Sequence, residues 1–423
     1  MSELRTIWGE ALDPNAVLQE YPRPQMVRAS YINLNGCWDY AITEGRMKPR
    51  EWDGRILVPF SPEAPLSGVN RSLQPWQTLW YRRTLDVSPR VGFRLLLHFG
   101  AVDQMAAVYV NDVLAAEHTG GYTAFSVDIT QYLKDTDNVL TVAVLDGTDT
   151  NELSRGKQRT KRGGIWYTPQ SGIWQTVWME WVPDAYISAL HITPDVQRGC
   201  ARITVCSEQD VPCCIGFQGR SIDGMTNHEL TVAVDDPELW SPESPKLYSF
   251  YAVLGSDRVE SYFALRSVAA GADADGVPCL MLNGKPYYHS GVLDQGYWPD
   301  GLYTAPSDEA LIYDISLMKS MGFNMLRKHI KIEPLRWYYH CDRLGMLVWQ
   351  DMINGGGSYD PITISAPLIT RRHRNDHDYK RFARTDEFGR AQYYRELEEM
   401  IRQLYNCPCI VMWVPFNEGW GQF

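Results

Sequence analysis

The chain has 423 residues, too many for one compact core, so two to four domains are expected. Hydrophobic residues at 44% and charged residues at 22% exclude wholesale disorder. A formal charge of −11 makes nucleic acid and anionic membrane poor partners, and no stretch reaches the ~18 apolar residues of a bilayer span.

In chain order, residues 1–183 read as many short strands, among them Leu79–Leu85, Phe93–Phe99, Ala106–Val110 and Val139–Leu145. Turn chemistry such as Asn111-Asp112 and Asp135-Thr-Asp-Asn138 separates them. Helical periodicity is nearly absent, which predicts a jelly-roll β-sandwich. Residues 184–270 add strands near Tyr186–Ile192, Ala201–Cys206, Leu230–Val234 and Leu247–Leu254, the size of a small immunoglobulin-like β-sandwich.

From 271 to 423 the pattern changes to alternating strands and amphipathic helices, the mark of βαβ units. The expected strands are Tyr287–Leu293, Phe323–Lys328, Met346–Gln350 and Ile410–Pro415. One helix follows Ser307 and stops at Gly322, a second opens at Pro334 and ends at Gly345. A third, about 387–406, repeats Tyr394, Leu397, Ile401 and Leu404 at helical spacing. Between the last two lies a long loop. Four units are half of what a (β/α)8 TIM barrel needs, so the reading is the first half of such a barrel or an open sheet. Half a barrel leaves apolar faces uncovered, and an isolated chain is expected to need partners, a paired edge or further chain.

In a β/α barrel the reacting groups project from the carboxyl ends of the strands. Each strand here delivers something polar at that end: Asp294, then Arg327 and His329, then Gln350-Asp351, then Asn417-Glu418. Singly, each has a structural explanation, such as a buried ion pair or a cap. Jointly they predict a site. Glycoside hydrolysis needs a protonated carboxyl at the leaving oxygen and a second carboxylate beneath the anomeric carbon. Glu418 suits the first role if Trp413, Phe416 and Trp420 shield it from water and favour the neutral acid. Asn417 is placed to bond a sugar hydroxyl, and Trp420 to stack on a ring.

Several motifs carry a family resemblance. Leu34-Asn-Gly-Cys-Trp38, Leu79-Trp-Tyr-Arg-Arg83, Tyr109-Val-Asn-Asp-Val113 and Ser171-Gly-Ile-Trp174 look like the N-terminal sugar-binding jelly roll of glycoside hydrolase family 2. Gly322-Phe-Asn-Met-Leu-Arg-Lys-His329 and Cys341-Asp-Arg-Leu-Gly-Met-Leu-Val-Trp349 are similar to that family's second and third barrel strands. Pro415-Phe-Asn-Glu418 resembles its Asn-Glu pair, in which the glutamate is the acid/base.

The resemblance implies a retaining exo-β-glycosidase with two glutamates roughly 5 Å apart. The second glutamate, the nucleophile, is expected on a later strand outside residues 1–423. A terminal β-galactoside or β-glucuronide is the leading substrate, a β-mannoside the next. Two departures bear on sugar specificity: Gln350-Asp351 stands where many members carry Asp-Glu, and His289 to Gly296 match only loosely. The rival reading is a non-catalytic carbohydrate-binding protein or an inactive fragment; another barrel hydrolase with two carboxylates is a third.

Other signals are weaker. His373 and His377, four apart and near Asp376 and Asp378, have the residue types of a metal site, but their arginine-rich loop favours a solvated charge cluster. No metal or cofactor is expected, and a homo-oligomer is compatible with the sequence. Nine scattered cysteines and a start without an apolar leader point to reduced thiols in a cytoplasm.

Overall fold

The computed structural model describes residues 4–372, 375 and 377–423. Two antiparallel sheets form the first layered unit. One has four strands in the order 31–33, 177–183, 93–99, 125–128; the other has six, ordered 54–58, 36–44, 77–85, 138–145, 105–110, 113–119. The chain reverses at Asn111-Asp112, whose φ values of 52° and 67° are both left-handed, as a tight hairpin turn requires. Inward residues such as Trp38, Leu79, Tyr81, Leu97 and Val142 bury one core between the sheets.

A second pair of sheets follows, of three strands (189–195, 200–206, 229–233) and four (220–225, 212–217, 248–254, 257–263), around Ile203, Ile215, Phe250 and Phe263. The strands Pro212–Phe217, Arg220–Met225 and Asp257–Phe263 add to those the sequence predicts. In Arg220–Met225 the outward Ser221 and Asp223 are polar and the inward Ile222 and Gly224 are only partly buried, so little apolar alternation marks the strand.

The last region is a parallel sheet of four strands in sequence order: β1 (Gly291–Asp294), β2 (Met325–Lys328), β3 (Leu347–Asp351) and β4 (Ile410–Val414). The helices are α1 (Asp308–Ser320), α2 (Leu335–Leu344), α3 (Pro361–Thr370) and α4 (Glu387–Leu404). Local chemistry explains their ends. The Ser307 hydroxyl caps α1, and Gly345 closes α2 at φ 75°. α3 occupies the stretch expected to be loop; Asp360 caps it and Pro361 opens it.

α4 turns a different face inward from the one its apolar spacing predicted. Gln392, Tyr393, Glu396, Met400 and Leu404 are buried, while Tyr394 is 57% and Ile401 37% exposed. The reason is a neighbour supplied by the first unit: Gly120 packs on Glu396, and the Gln392 amide donates to the Thr119 carbonyl at 2.6 Å.

The same packing makes one apolar cluster run across the chain. Trp174 from the first unit and Trp240 from beside the second join Ile315, Leu347 and Met400. The Trp240 indole donates to the Asp342 carbonyl at 2.7 Å.

Residues 146–171 leave the first sandwich as a strap and return, held by buried carboxylates. Glu63 accepts the Leu73 and Ser171 amides, each at 3.0 Å; Asp146 accepts the Ser171 hydroxyl at 2.7 Å; Asp103 accepts the Gln158 amide at 2.7 Å. Burial disfavours their anions, pushing Glu63 up to about 8, Asp146 to about 6 and Glu396 to about 7, with Asp103 also raised. In the unfolded chain such acids ionise near ~4. Their stabilisation is therefore complete below that pH and is lost as pH rises through about 6 to 8. The thermal midpoint should fall across that window, and Glu63→Gln with Glu396→Gln should flatten the decline. A midpoint that is level or rising between those values would show that these acids fold as anions.

Candidate active site

Strand pleating decides which side chains meet. Along β2, Arg327 and Lys328 point to opposite faces. Lys328 turns toward the helix layer, 4.2 Å from the Trp337 ring centroid, and pairs with Asp294 at 2.8 Å and Glu333 at 2.9 Å. Glu333 also holds Lys331 at 2.9 Å. Burial lowers the Lys331 ammonium to about 8, whereas the two carboxylates beside Lys328 outweigh its own burial and raise it.

Arg327 faces the other way. Its Nε and Nη2 form a two-pronged pair with Asp351 at 2.9 and 3.0 Å, and Nη2 also reaches the Asn417 carbonyl oxygen at 2.9 Å. His329 Nδ1 lies 3.2 Å from Asp351 Oδ2. One guanidinium thus ties together the carboxyl ends of β2 and β3 and the turn after β4. Asp351 is fully buried, so its charge depends on that fork.

Of the residues predicted from sequence, Arg327, His329, Asp351 and Asn417 form one cluster. Asp294 does not join it; it belongs to the Lys328 network on the opposite face, because its register partner is Lys328. Glu418 stands at the rim next to Asn417, in the left-handed region at φ 54°, a conformation uncommon for a residue with a side chain.

The apolar enclosure expected around Glu418 is not present among the described residues. Glu418 is exposed, and its Oε2 accepts the Trp420 indole N–H at 3.0 Å. Trp413 is 37% exposed, and Phe416 stacks on Tyr393 at 4.9 Å. Trp420 leans on Tyr359 at 4.7 Å. Among the described residues β4 is the outer strand of this sheet, with a neighbour on one side.

The strap from the first sandwich was not foreseen here. Ser154 bridges Gly355, and the Arg155 and Gly156 amides both donate to the Asn354 carbonyl, at 2.8 and 3.0 Å. Gly156 has φ 61°, and a Cβ there would meet the Ile330 carbonyl oxygen at 2.8 Å, so only glycine passes. The strap brings Lys157 and Trp166 to the Glu418 side: Trp166 lies 6.2 Å from Tyr359. The sequence signal was the Arg155–Arg162 run of five cations, hidden by the acidic total. His373 and Asp376 lie outside the described residues; among the described residues no group of metal-ligating side chains forms. No described helix is long and apolar enough to cross a membrane.

With the geometry in place, comparison with known proteins fixes the class. Models of glycosyl hydrolases family 2 match three segments: the sugar binding domain at 68–183, the family 2 domain at 215–266 and the TIM barrel domain at 278–422. A β-galactosidase of Thermoanaerobacter pseudethanolicus is 25% identical over 80% of this chain and 44% of its own length. A putative β-glucuronidase of Formosa agariphila is 26% identical over 91% of this chain and 44% of its own. Among solved structures, the β-D-glucuronidase of Dictyoglomus thermophilum superposes with a TM-score of 0.73 at 18% identity, covering 93% of this chain and 68% of that one. A β-galacturonidase of Eisenbergiella tayi gives 0.70 at 20%, covering 95% and 66%. The fold is mostly β and multi-domain, and the chain belongs to glycosyl hydrolase family 2. It spans less than half the length of these two curated relatives.

Removing the fork should leave Asp351 buried without its partner. Arg327→Met is expected to cost ~3 kcal/mol or more, measured by chemical denaturation. Combining it with Asp351→Asn should recover part of that loss. Additive losses in the double variant would show that the two side chains do not act as a pair.

Proposed function

We propose that this chain carries the sugar-positioning and acid/base portion of a retaining exo-β-glycosidase acting on terminal β-linked sugars. β-Galactosides or β-glucuronides are favoured and β-mannosides come next. Residues 1–183 and 184–270 serve as jelly-roll and immunoglobulin-like domains, and 271–423 as the first four units of a TIM barrel. The observation that carries the reading is the Arg327 fork, which gathers Asp351 and Asn417 at the carboxyl end of the parallel sheet beside Glu418.

In this mechanism the Asn417 amide and His329 bond hydroxyls of the bound ring; Arg327 orients Asn417, and Asp351, held by Arg327, orients His329. Glu418 donates its proton to the bridging oxygen as the bond to the anomeric carbon breaks. A nucleophilic glutamate outside residues 1–423 takes up the sugar from the opposite face. Glu418 then removes a proton from water in the second step. Trp420, already bonded to the Glu418 carboxylate, aims it and offers a ring to the leaving group. Asp294, on the helix side with Lys328, sets the strand end rather than touching sugar.

The exposure of Glu418 is what a binding-only protein would also display, and one experiment separates the two. In an active enzyme carrying this chain, Glu418→Gln should slow an alkyl glycoside at least ~100-fold more than a nitrophenyl glycoside, whose good leaving group needs little protonation. Azide should restore turnover of the activated substrate. Equal slowing of both would remove Glu418 from the acid role, and failure of the unaltered enzyme on every β-glycoside would leave the binding protein.

A further inference from the structure

The strap that reaches the rim beside Glu418 carries a charge pattern foreign to the rest of the chain. Residues 155–162 hold Arg155, Lys157, Arg159, Lys161 and Arg162 and no acid, in a chain whose formal charge is −11. Arg155 is buried and spent on structure, donating to the Gly356 and Gly357 carbonyls. The other four lie on a short reversal closed by Gln158 and Tyr167 and by Gly163 and Trp166. Lys157 and Arg159 are half-buried; Lys161 and Arg162 are exposed. Among the described residues, the ion pair found for these four joins Arg159 to Asp149 at 3.9 Å, too long for a strong bond.

Aromatic rings interleave with the cations. The Arg159 guanidinium sits 4.3 Å and the Lys157 ammonium 5.6 Å from the Trp166 ring centroid. Trp166 continues to Tyr359, Tyr359 to Trp420, and Trp420 bonds Glu418. Beside them Tyr167 stacks flat on Tyr297 at 3.9 Å and 17°. Lys157 also feels the Glu418 carboxylate, which opposes the downward push of its partial burial.

An acid/base group sits on the leaving-group side of the bond it protonates. Whatever lies beyond Glu418 along the ring series therefore meets the departing part of the substrate. We propose that the 157–167 reversal is a leaving-group subsite selective for an acidic sugar, its cations pairing a carboxylate or sulfate while Trp166 and Tyr167 receive the ring. This rests on the glycosidase reading given above. The chain's overall negative charge does not defeat the attraction. At physiological salt fields are screened over ~8 Å, so an anion at the rim feels the four cations against the two nearby acids, Asp149, which accepts from Thr160 at 2.7 Å, and Glu418, more than the rest of the chain's acids.

The test measures binding to an active enzyme carrying this chain, in its Glu418→Gln form so that the probes are not consumed, by tryptophan fluorescence supported by calorimetry. Four probes are used: a β-galactosyl disaccharide ending in glucose, the same ending in glucuronic acid, the same ending in 6-sulfated glucose, and a ten-nucleotide single-stranded DNA. At least one acidic disaccharide should bind about tenfold tighter than the neutral one at low salt, with the advantage shrinking as salt rises. Whichever acidic probe gains more identifies carboxylate or sulfate as the recognised group. In the quadruple variant Lys157→Gln, Arg159→Gln, Lys161→Gln, Arg162→Gln the ratio of acidic to neutral affinity should fall at least fivefold, with the far-UV circular dichroism unchanged. The proposal is overturned if the enzyme with its four cations intact binds neutral and acidic probes alike, if the preference survives in a folded quadruple variant, or if the DNA outcompetes both acids. Binding of the neutral disaccharide without acidic preference removes this inference alone. Binding of no disaccharide also removes this inference, while the glycosidase reading is decided separately by the Glu418→Gln comparison of alkyl and nitrophenyl glycosides.

Discussion

Asp351 is a carboxylate with no exposure to water, and the arrangement of the sheet's carboxyl end follows from how that charge is satisfied. A buried anion is tolerable only with a partner of good geometry. Arg327 supplies it through two parallel bonds and spends its remaining reach on Asn417. Because Asp351 ends β3, Arg327 sits in β2 and Asn417 follows β4, the pairing fixes three strand ends relative to one another. The groups at these strand ends acquire fixed positions as a by-product of burying one charge.

The two faces of the sheet divide the polar residues between structure and chemistry. Lys328, Asp294 and Glu333 satisfy each other on the helix side, and Lys331 is locked there by the Gly296 and Tyr303 carbonyls. Arg327, His329, Asp351 and Asn417 occupy the opposite face, and among the described residues His329 Nε2 is buried without a hydrogen-bond partner. The alternation of a strand, with a period of two residues, thus sorted neighbours in sequence into different roles.

The sandwiches are more than an appendage to the sheet. The strap 146–171 is held at its root by buried acids and at its far end by glycine and backbone bonds to the loop after β3. Packing of Gly120 and Thr119 on α4 turns that helix about its axis relative to its apolar stripe. One continuous core, running from Trp174 and Trp240 to Met400, makes these units share their stability.

Local signals in the sequence determined the order of elements and most of their ends. Ser307, Pro334 and Gly345 act within one turn of chain, so their effects are legible without a fold. The strand-end positions of Arg327, Asp351 and Asn417 followed from the same local reading, as did the family to which the chain belongs. Tertiary structure alone decided the rest. Asp294 faces away because its register partner is Lys328, and register is a property of two strands. The buried side of α4 depends on a neighbour 273 residues earlier in the chain. Glu418 lies exposed against the Trp420 indole rather than in an apolar pocket among the described residues, and Trp166 is joined to that indole through Tyr359 because a strap crosses from another unit. Such contacts join residues far apart in sequence, and no window along the chain contains both partners.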